Sequence, residues 1–250
     1  MTLAGDIIAE LKRLGLKAEP AKIAALLEEK RKHTTEDALR ALVELEREER
    51  ARRSLELRHK RARVGTFKPC ADFDWAFPKD IDQARVTRAL QLHFLREGLN
   101  VVILGNHGVG KTMLAKNIAH NAVLAGYRVI FTTVKKMLAD ITATDSRRRV
   151  QARLRHYARV DLLVADELGY LSYEDSAADL LFQLVNDRYE AQKPLVITTN
   201  LAFKDWGTVF PNATCTVALI DRLTHRADIL RIEGPSWRHK EAMDRDRSRT

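Results

Sequence analysis

The sequence predicts an α/β fold with a parallel sheet, preceded by a small all-helical domain. In the C-terminal part of the chain, short apolar runs alternate with longer segments of helical periodicity, as in strands joined by crossover helices. In the first 63 residues, apolar residues recur at helical spacing, with only two glycines and one proline. The chain has 250 residues, 45% of them hydrophobic, which is enough for a core domain with an appendage. We expect a helical domain over residues 1–64 and an α/β domain over residues 65–250.

One long helix is expected in the N-terminal domain. The segment Thr34 to Asp37 offers a capping hydroxyl followed by acidic residues, which predicts a helix that begins near Glu36 and runs past Arg50. Beyond Arg50 the charge becomes basic, with seven lysines and arginines against one acidic residue between Arg52 and Lys68. This cluster suits DNA or an acidic partner equally well. Its candidate contacts are Arg52, Arg53 and Arg61.

Gly65, Pro69 and the segment from Asp72 to Trp75 mark a linker that leads into the α/β domain. Five apolar runs of this domain are strand candidates, and the segment from Ser176 to Ala191 has helical spacing. The strand candidates are Val101 to Leu104, Arg128 to Val134, Asp161 to Ala165, Leu195 to Thr199 and Ile229 to Ile232.

The first strand candidate leads directly into a phosphate-binding loop. Residues 105–112 fit the pattern G-x-x-x-x-G-K-[ST] at every fixed position, and an amphipathic helix follows them. Backbone N–H groups can wrap a phosphate only where small residues replace side chains that would collide. Lys111 is expected to reach the β and γ oxygens, and Thr112 to offer its hydroxyl to Mg²⁺. The expected nucleotide contacts are Gly105, Asn106, His107, Gly108, Val109, Gly110, Lys111, Thr112 and Met113.

Two adjacent carboxylates, Asp166 and Glu167, end the third strand candidate. A strand end next to a phosphate-binding loop delivers an acid to the metal, so Asp166 is expected to hold Mg²⁺ through its water shell. The side chain of Glu167, one residue later, is expected to point in a different direction and to orient and polarise the attacking water. Without a phosphate-binding loop nearby, the adjacent Asp166 and Glu167 would be interpreted as residues that cap a turn after a buried strand.

Two further polar residues are candidates for the same reaction. Asn200 ends the fourth strand candidate, where its amide can hydrogen-bond both the γ-phosphate and the attacking water. Arg222 lies on a predicted helix near the end of the fold, and its guanidinium suits stabilisation of charge on a neighbouring subunit's γ-phosphate. Arg226 and Arg231 are close by in sequence and remain alternatives for this role.

The chain resembles the IstB-like ATP-binding proteins, helper ATPases of insertion-sequence transposition in the initiator and helicase-loader branch of AAA+ ATPases. The motifs that carry the resemblance are GNHGVGKT, LLVADE, ITTN, DRL and the closing GPSWR, in the family's order. The resemblance implies a sheet of order 5-1-4-3-2, with Asn200 between the phosphates and Glu167. It also implies that Arg222 acts in trans as an arginine finger and that Arg238 contacts the nucleotide.

The resemblance further implies that hydrolysis needs an assembled ring or spiral. About seventeen residues follow the last strand candidate, too few for the full helical lid of ordinary AAA+ proteins. The short tail and a neighbouring subunit are therefore expected to close the pocket. Many relatives carry proline where this chain has Asn106 and His107. The side chains at these loop positions are expected to point away from the phosphates, which makes a catalytic role for His107 unexpected.

A second basic region lies between residues 145 and 159, with six arginines and one acid. Relatives in the initiator branch use an inserted helix here to track nucleic acid, and two lysines after the second strand join the same surface. A solvated helix face is the alternative, but one-sided charge is costly unless a partner uses it. The expected contacts are Lys135, Lys136, Arg147, Arg148, Arg149 and Arg153.

The function expected from these features is an ATP- and Mg²⁺-dependent ATPase that oligomerises on double-stranded DNA, bends or remodels it, and regulates a partner transposase. The net charge of +9 agrees with a polyanionic partner. A replicative helicase loader with the same core and, less favoured, a P-loop kinase of small molecules are the alternatives. No apolar stretch is long enough for a membrane span, and the two cysteines are far apart, so we expect a cytoplasmic protein.

Overall fold

The computed structural model describes residues 3–29, 35–144, 146–169, 175–210 and 213–247. The chain divides into two compact units, Met1–Leu57 and Arg58–Thr250. The predicted cap at Thr34 lies outside the described residues. None of the helices within these ranges has the length and apolar content that a membrane crossing requires.

The first unit contains α1 (Leu3–Arg13), α2 (Pro20–Glu29) and most of α3 (Thr35–Ala62). The carboxylate of Glu46 on α3 accepts hydrogen bonds from the backbone N–H groups of Lys17 and Ala18, at 2.7 to 2.9 Å. These bonds satisfy donors just before the start of α2, where backbone N–H groups lack partners within the helix. The predicted long helix is present, and it continues into the basic cluster as far as Ala62.

The second unit is built on a six-stranded sheet of order β1-β6-β2-β5-β4-β3. The five longer strands pair in parallel, and with the first strand candidate numbered one their order is the expected 5-1-4-3-2. The strands are β1 (Asp80–Ile81), β2 (Asn100–Gly105), β3 (Val129–Thr133), β4 (Leu162–Leu168), β5 (Leu195–Thr199) and β6 (Ala227–Glu233).

The sheet departs from the prediction at one edge. The two-residue strand β1 pairs antiparallel with β6 and adds a sixth strand to the expected five. A strand of two residues has too few positions to show alternation, so periodicity could not reveal it.

Helices cover the sheet, and the central strands β4 and β5 are almost fully buried. This agrees with parallel strands that carry crossover helices. The helices of this unit are α4 (Gln83–Leu90), α5 (His93–Glu97), α6 (Lys111–Leu124), α7 (Val134–Thr142), α8 (Arg147–Arg159), α9 (Asp175–Glu190), α10 (Ala213–Thr224) and α11 (Trp237–Arg247). Short 3₁₀ turns span Cys70–Asp72 and Phe203–Thr208. Within the described residues, β6 is followed by one helix, α11.

A buried arginine fixes the strands that end at the candidate site. Arg188 on α9 is 1% exposed, and burial lowers the pKa of its guanidinium to about 9. Its guanidinium donates to carbonyls at the end of α8, just before β4 (Asp161) and just before β5 (Pro194). One side chain therefore ties α8 to the starts of two strands whose carboxyl ends carry Asp166 and Asn200.

Candidate nucleotide-binding site

The phosphate-binding loop joins β2 to α6. Lys111 opens α6, is only 4% exposed, and its Nζ donates to the carbonyls of Gly105 and Asn106 at 2.7 Å each. Burial lowers the pKa of the Lys111 ammonium to about 8. Asp166 raises this pKa, and the nearby charge of Arg238 lowers it. The lysine is thus held inside the loop and in the electrostatic range of both residues.

Asp166 and Glu167 lie near the end of β4 and differ in exposure. Asp166 is 2% exposed and accepts hydrogen bonds from the hydroxyls of Thr112, at 3.2 Å, and Thr198. Glu167 has φ of +63° and an exposed side chain, while its backbone N–H donates to Thr198 Oγ1 at 3.0 Å. The pairing of β4 with β5 is irregular between Ala165 and Leu168. Such a bulge changes the direction in which successive side chains point, so the side chains of Asp166 and Glu167 lie in different surroundings.

Thr198 is a site residue that the sequence reasoning did not single out. It lies on β5, is 1% exposed, and contacts both the Asp166 carboxylate and the Glu167 backbone. A hydroxyl residue near the end of a buried strand is the signal that could have revealed it, because buried hydroxyls need hydrogen-bond partners.

Asn200 follows β5, which lies between the strand that leads to Lys111 and the strand that bears Asp166. Its Nδ2 lies 3.2 Å from Nε2 of His107 in the phosphate-binding loop. Its Oδ1 is buried and has no hydrogen-bond partner within the described residues. The structure therefore brings Lys111, Asp166 and Asn200 together at the carboxyl ends of three neighbouring strands.

The C-terminal tail folds back onto the phosphate-binding loop. The backbone N–H of Trp237 donates to the Gly108 carbonyl at 2.9 Å. Gly108 has φ of +78°, and a Cβ at this position would lie 2.1 Å from Ser236 Oγ. Only glycine fits here without displacing the tail, so the loop sequence and the tail sequence depend on each other. Arg238, the next residue of the tail, is exposed and lines a cavity beside the phosphate-binding loop.

This cavity has a volume of about 460 Å³, within the usual range of small-molecule sites. Its lining includes Phe73, which the sequence predicts to lie in the linker, and Phe77, just beyond it. The ring of Phe73 lies over Gly110, where a Cβ would be 2.7 Å from Cε2. The rings of Phe77 and Trp237 meet edge to face with centroids 4.8 Å apart, and Lys240 Nζ lies over both rings. Aromatic residues in a connecting segment were the available signal, because an exposed linker rarely needs them.

The arginine candidates lie at two ends of the sheet. Asn100, the first residue of β2, bonds to the carbonyls of Leu223 (Nδ2, 3.2 Å) and Arg226 (backbone N–H, 2.7 Å). Arg222 and Arg226 are therefore at the end opposite the phosphate-binding loop. The Arg222 guanidinium lies 4.9 Å from the centre of the Tyr189 ring. Arg231 instead pairs with Leu104, beside the loop, and lines a second cavity with Asn200.

The side chains predicted to contact DNA differ in their exposure and in the ion pairs that they form within the chain. Lys135 and Lys136 are exposed on α7, and the first three arginines of α8 are exposed as well. Arg153 is not: its guanidinium pairs with Asp140 of α7, which also accepts from Tyr157 Oη at 2.6 Å. Burial and this hydrogen bond raise the pKa of Tyr157 to about 12.

The N-terminal basic cluster is also partly engaged. Arg52 and Arg53 both pair at 2.7 Å with the carboxylate of Glu49, which is 3% exposed, and Arg52 also pairs with Glu56. Hydrogen bonds from Arg52 and Arg53 lower the pKa of Glu49 to about 2. Arg61 is exposed.

Comparisons with known proteins give both sequence relatives and structural neighbours of this chain. A sequence model of the IstB-like ATP-binding protein family matches residues 9–245. The insertion sequence IS21 ATP-binding protein of Pseudomonas aeruginosa is 36% identical over 192 residues, which cover 77% of this chain and 72% of that protein. The insertion sequence IS5376 ATP-binding protein of Geobacillus stearothermophilus is 31% identical over 200 residues, covering 80% and 79%.

Solved structures share the fold at lower identity. The crystal structure of DnaI superimposes with a TM-score of 0.55 and 19% identity, covering 67% of this chain and 89% of that one. The DnaC helicase loader gives a TM-score of 0.50 and 21% identity, covering 69% and 97%. The second unit therefore has the AAA+ fold.

Proposed function

The chain belongs to the IstB-like ATP-binding protein family and is an ATPase, and we propose that it assembles on duplex DNA and regulates a transposase through its nucleotide state. The names of its relatives refer to insertion sequences, which supports a role in DNA transposition. The partners in this proposal are duplex DNA, a transposase and further copies of the chain. The proposed location of this activity is the cytoplasm.

The observation that carries the proposal is the separation of Arg222 from Lys111. Lys111 follows the carboxyl end of β2, whereas Arg222 lies by the first residue of that strand. Five residue steps along a strand span roughly 16 Å, so Arg222 is out of reach of the γ-phosphate held by its own loop. A guanidinium at this position suits the γ-phosphate of a neighbouring subunit, and hydrolysis then requires assembly.

The proposed metal is Mg²⁺, and the residues fit it. The Thr112 hydroxyl and the Asp166 carboxylate lie 3.2 Å apart, and both offer the hard oxygen ligands that Mg²⁺ prefers. A bound Mg²⁺ neutralises charge on the β and γ phosphate oxygens. Thr112 would hold it directly and Asp166 through water, with Thr198 fixing the Asp166 carboxylate.

Glu167 is the proposed base for the attacking water. Its side chain is exposed, whereas that of Asp166 is buried, and the pairing of β4 with β5 is irregular at these two residues. Asn200 lies on the neighbouring strand and is the proposed partner of the same water. These roles divide the site into metal binding by the buried acid and water activation by the exposed one.

The exposed face of α8 is the proposed DNA surface. Leu154 and Tyr157 are buried, so the opposite side of the helix faces solvent. Helical spacing aligns Arg148, Arg155 and Arg159 along that side over roughly 16 Å. Arg153 points to Asp140 and stabilises the contact with α7 instead. Phosphate contacts of this kind give steeply salt-dependent, sequence-independent binding.

Residues 1–64 form the proposed partner-binding domain. Arg61 is the member of its basic cluster that we expect to contact DNA or protein, because Arg52 and Arg53 already pair with Glu49. Contacts between neighbouring copies through this domain would add to those of the ATPase unit.

Particle mass measured with and without duplex DNA and a non-hydrolysable ATP analogue tests the proposal. The expected result is a defined oligomer that forms with both ligands and that Arg222→Ala weakens. A chain that stays monomeric under every condition would overturn the DNA-assembly proposal. Stronger assembly on single-stranded than on duplex DNA would favour a helicase loader, and DNA-independent phosphate transfer to a small acceptor would favour a kinase.

A further inference from the structure

The side-chain amide of Asn200 has a defined orientation in this structure. Its Nδ2 lies 3.2 Å from His107 Nε2. An asparagine NH₂ group can only donate hydrogen bonds, so the ring nitrogen must be the acceptor and the ring proton must sit on Nδ1. In this orientation the NH₂ end of the amide faces the phosphate-binding loop.

The other end of the amide faces away from that contact. Asn200 Oδ1 is buried without a hydrogen-bond partner in the described part of the chain. A buried acceptor without a partner is costly and calls for an explanation, and a group that binds only when substrate and water are present is one. If the amide turned by 180°, Oδ1 would face His107 and the NH₂ group would take the buried position.

We propose that His107 is a positioning residue for ATP hydrolysis, which holds the Asn200 amide so that Oδ1 accepts a hydrogen bond from the attacking water. This inference rests on the proposed role of Asn200. A loop histidine that accepts from Nδ2 favours the orientation in which Oδ1 is the available acceptor. The loop that binds the phosphates and the residue that orients the water are thereby set by one contact.

The placement of His107 makes the proposal testable without loss of the fold. The imidazole is exposed, so its replacement leaves the core unchanged. His107→Leu removes the acceptor and keeps a side chain of similar size. His107→Gln keeps an acceptor, since its Oε1 can take the hydrogen bond from Nδ2. Melting temperatures close to that of the unchanged protein verify folding of each variant.

The experiment measures kcat and KM for ATP, with Mg²⁺ and duplex DNA, in the full chain and four variants: His107→Leu, His107→Gln, Asn200→Ala and the double variant His107→Leu with Asn200→Ala. His107→Leu should lower kcat about fivefold, the usual effect of one hydrogen bond, with KM and ADP affinity within about twofold of normal. His107→Gln should recover at least about half of kcat. The double variant should be no slower than Asn200→Ala alone, because His107 acts only through Asn200.

Each other outcome has a defined meaning. If Asn200→Ala lowers kcat and His107→Leu does not, the positioning role is wrong while the role of Asn200 stands. If Asn200→Ala leaves kcat unchanged, both are wrong. If His107→Leu slows the Asn200→Ala variant by a further similar factor, or changes ADP affinity instead of kcat, then His107 acts independently of Asn200 and the proposal is overturned.

Discussion

The Thr112 hydroxyl donates a hydrogen bond of 3.2 Å to the Asp166 carboxylate, so the first turn of α6 and the end of β4 meet at one pair of oxygen ligands. If this pair holds Mg²⁺, Asp166→Asn should lower ATP hydrolysis by about a hundredfold or more, since a bound metal contributes several kcal/mol to catalysis. ADP affinity measured with Mg²⁺ and with EDTA should then become nearly equal. Thr112→Ser keeps the hydroxyl and should retain the Mg²⁺ dependence, whereas unchanged Mg²⁺ dependence in Asp166→Asn would refute the assignment.

Glu167→Gln should bind ATP normally and hydrolyse it at least about a hundredfold more slowly, because water activation is lost while the metal ligands remain. The DNA-bound assembly should consequently persist in ATP, which can be followed by particle mass over time. Asp166→Asn serves as the contrast, since it should impair the metal-dependent step as well. Rapid ATP turnover by Glu167→Gln would show that another group activates the water.

Gly108→Ala should weaken ADP binding about tenfold. The added Cβ would lie 2.1 Å from Ser236 Oγ, and φ of +78° disfavours any residue with a side chain. The tail must then move away from the loop and carry Trp237 and Arg238 with it. The double variant with Ser236→Gly removes the collision but not the backbone strain, so it should recover part of the affinity by calorimetry. Normal affinity in Gly108→Ala would mean that the tail does not shape the site.

Arginines on two sides of α8 should behave differently. Replacing Arg148, Arg155 and Arg159 by alanine should weaken duplex binding and reduce the slope of log K against log salt by about 0.9 for each phosphate that is no longer neutralised. Arg153→Ala is the control on the same helix. It breaks the pair with Asp140, so it should lower the melting temperature and leave the salt slope unchanged. Equal salt slopes for the triple variant and the unchanged protein would argue against this DNA surface.

Much of the ATPase fold could be predicted from the sequence because its signals are local. The apolar runs and the phosphate-binding loop are each complete within a few residues, and the strand order 5-1-4-3-2 followed from family resemblance. All five parallel strands were found. The N-terminal helix also continues as expected, to Ala62.

The features that could not be predicted depend on contacts between residues that are distant in sequence. From the sequence, Phe73 is interpreted as a linker residue and Phe77 is given no role, because their partners, Gly110 and Trp237, lie elsewhere in the chain. Arg153 reads as available positive charge in the sequence, whereas in the structure Asp140 on a different helix binds it. The contact of His107 with Asn200 joins residues 93 positions apart, and no local pattern reports such a pair.

An ATP site shared between subunits is the centre of the proposed function, and a mixing experiment tests it most directly. Arg222→Ala and Glu167→Ala subunits should each be inactive alone on duplex DNA. In an equal mixture, about a quarter of head-to-tail contacts should join an intact Glu167 to a neighbour's intact Arg222. ATP hydrolysis should therefore reappear in the mixture at about that fraction of the normal rate. A mixture no more active than either variant alone would contradict a shared site.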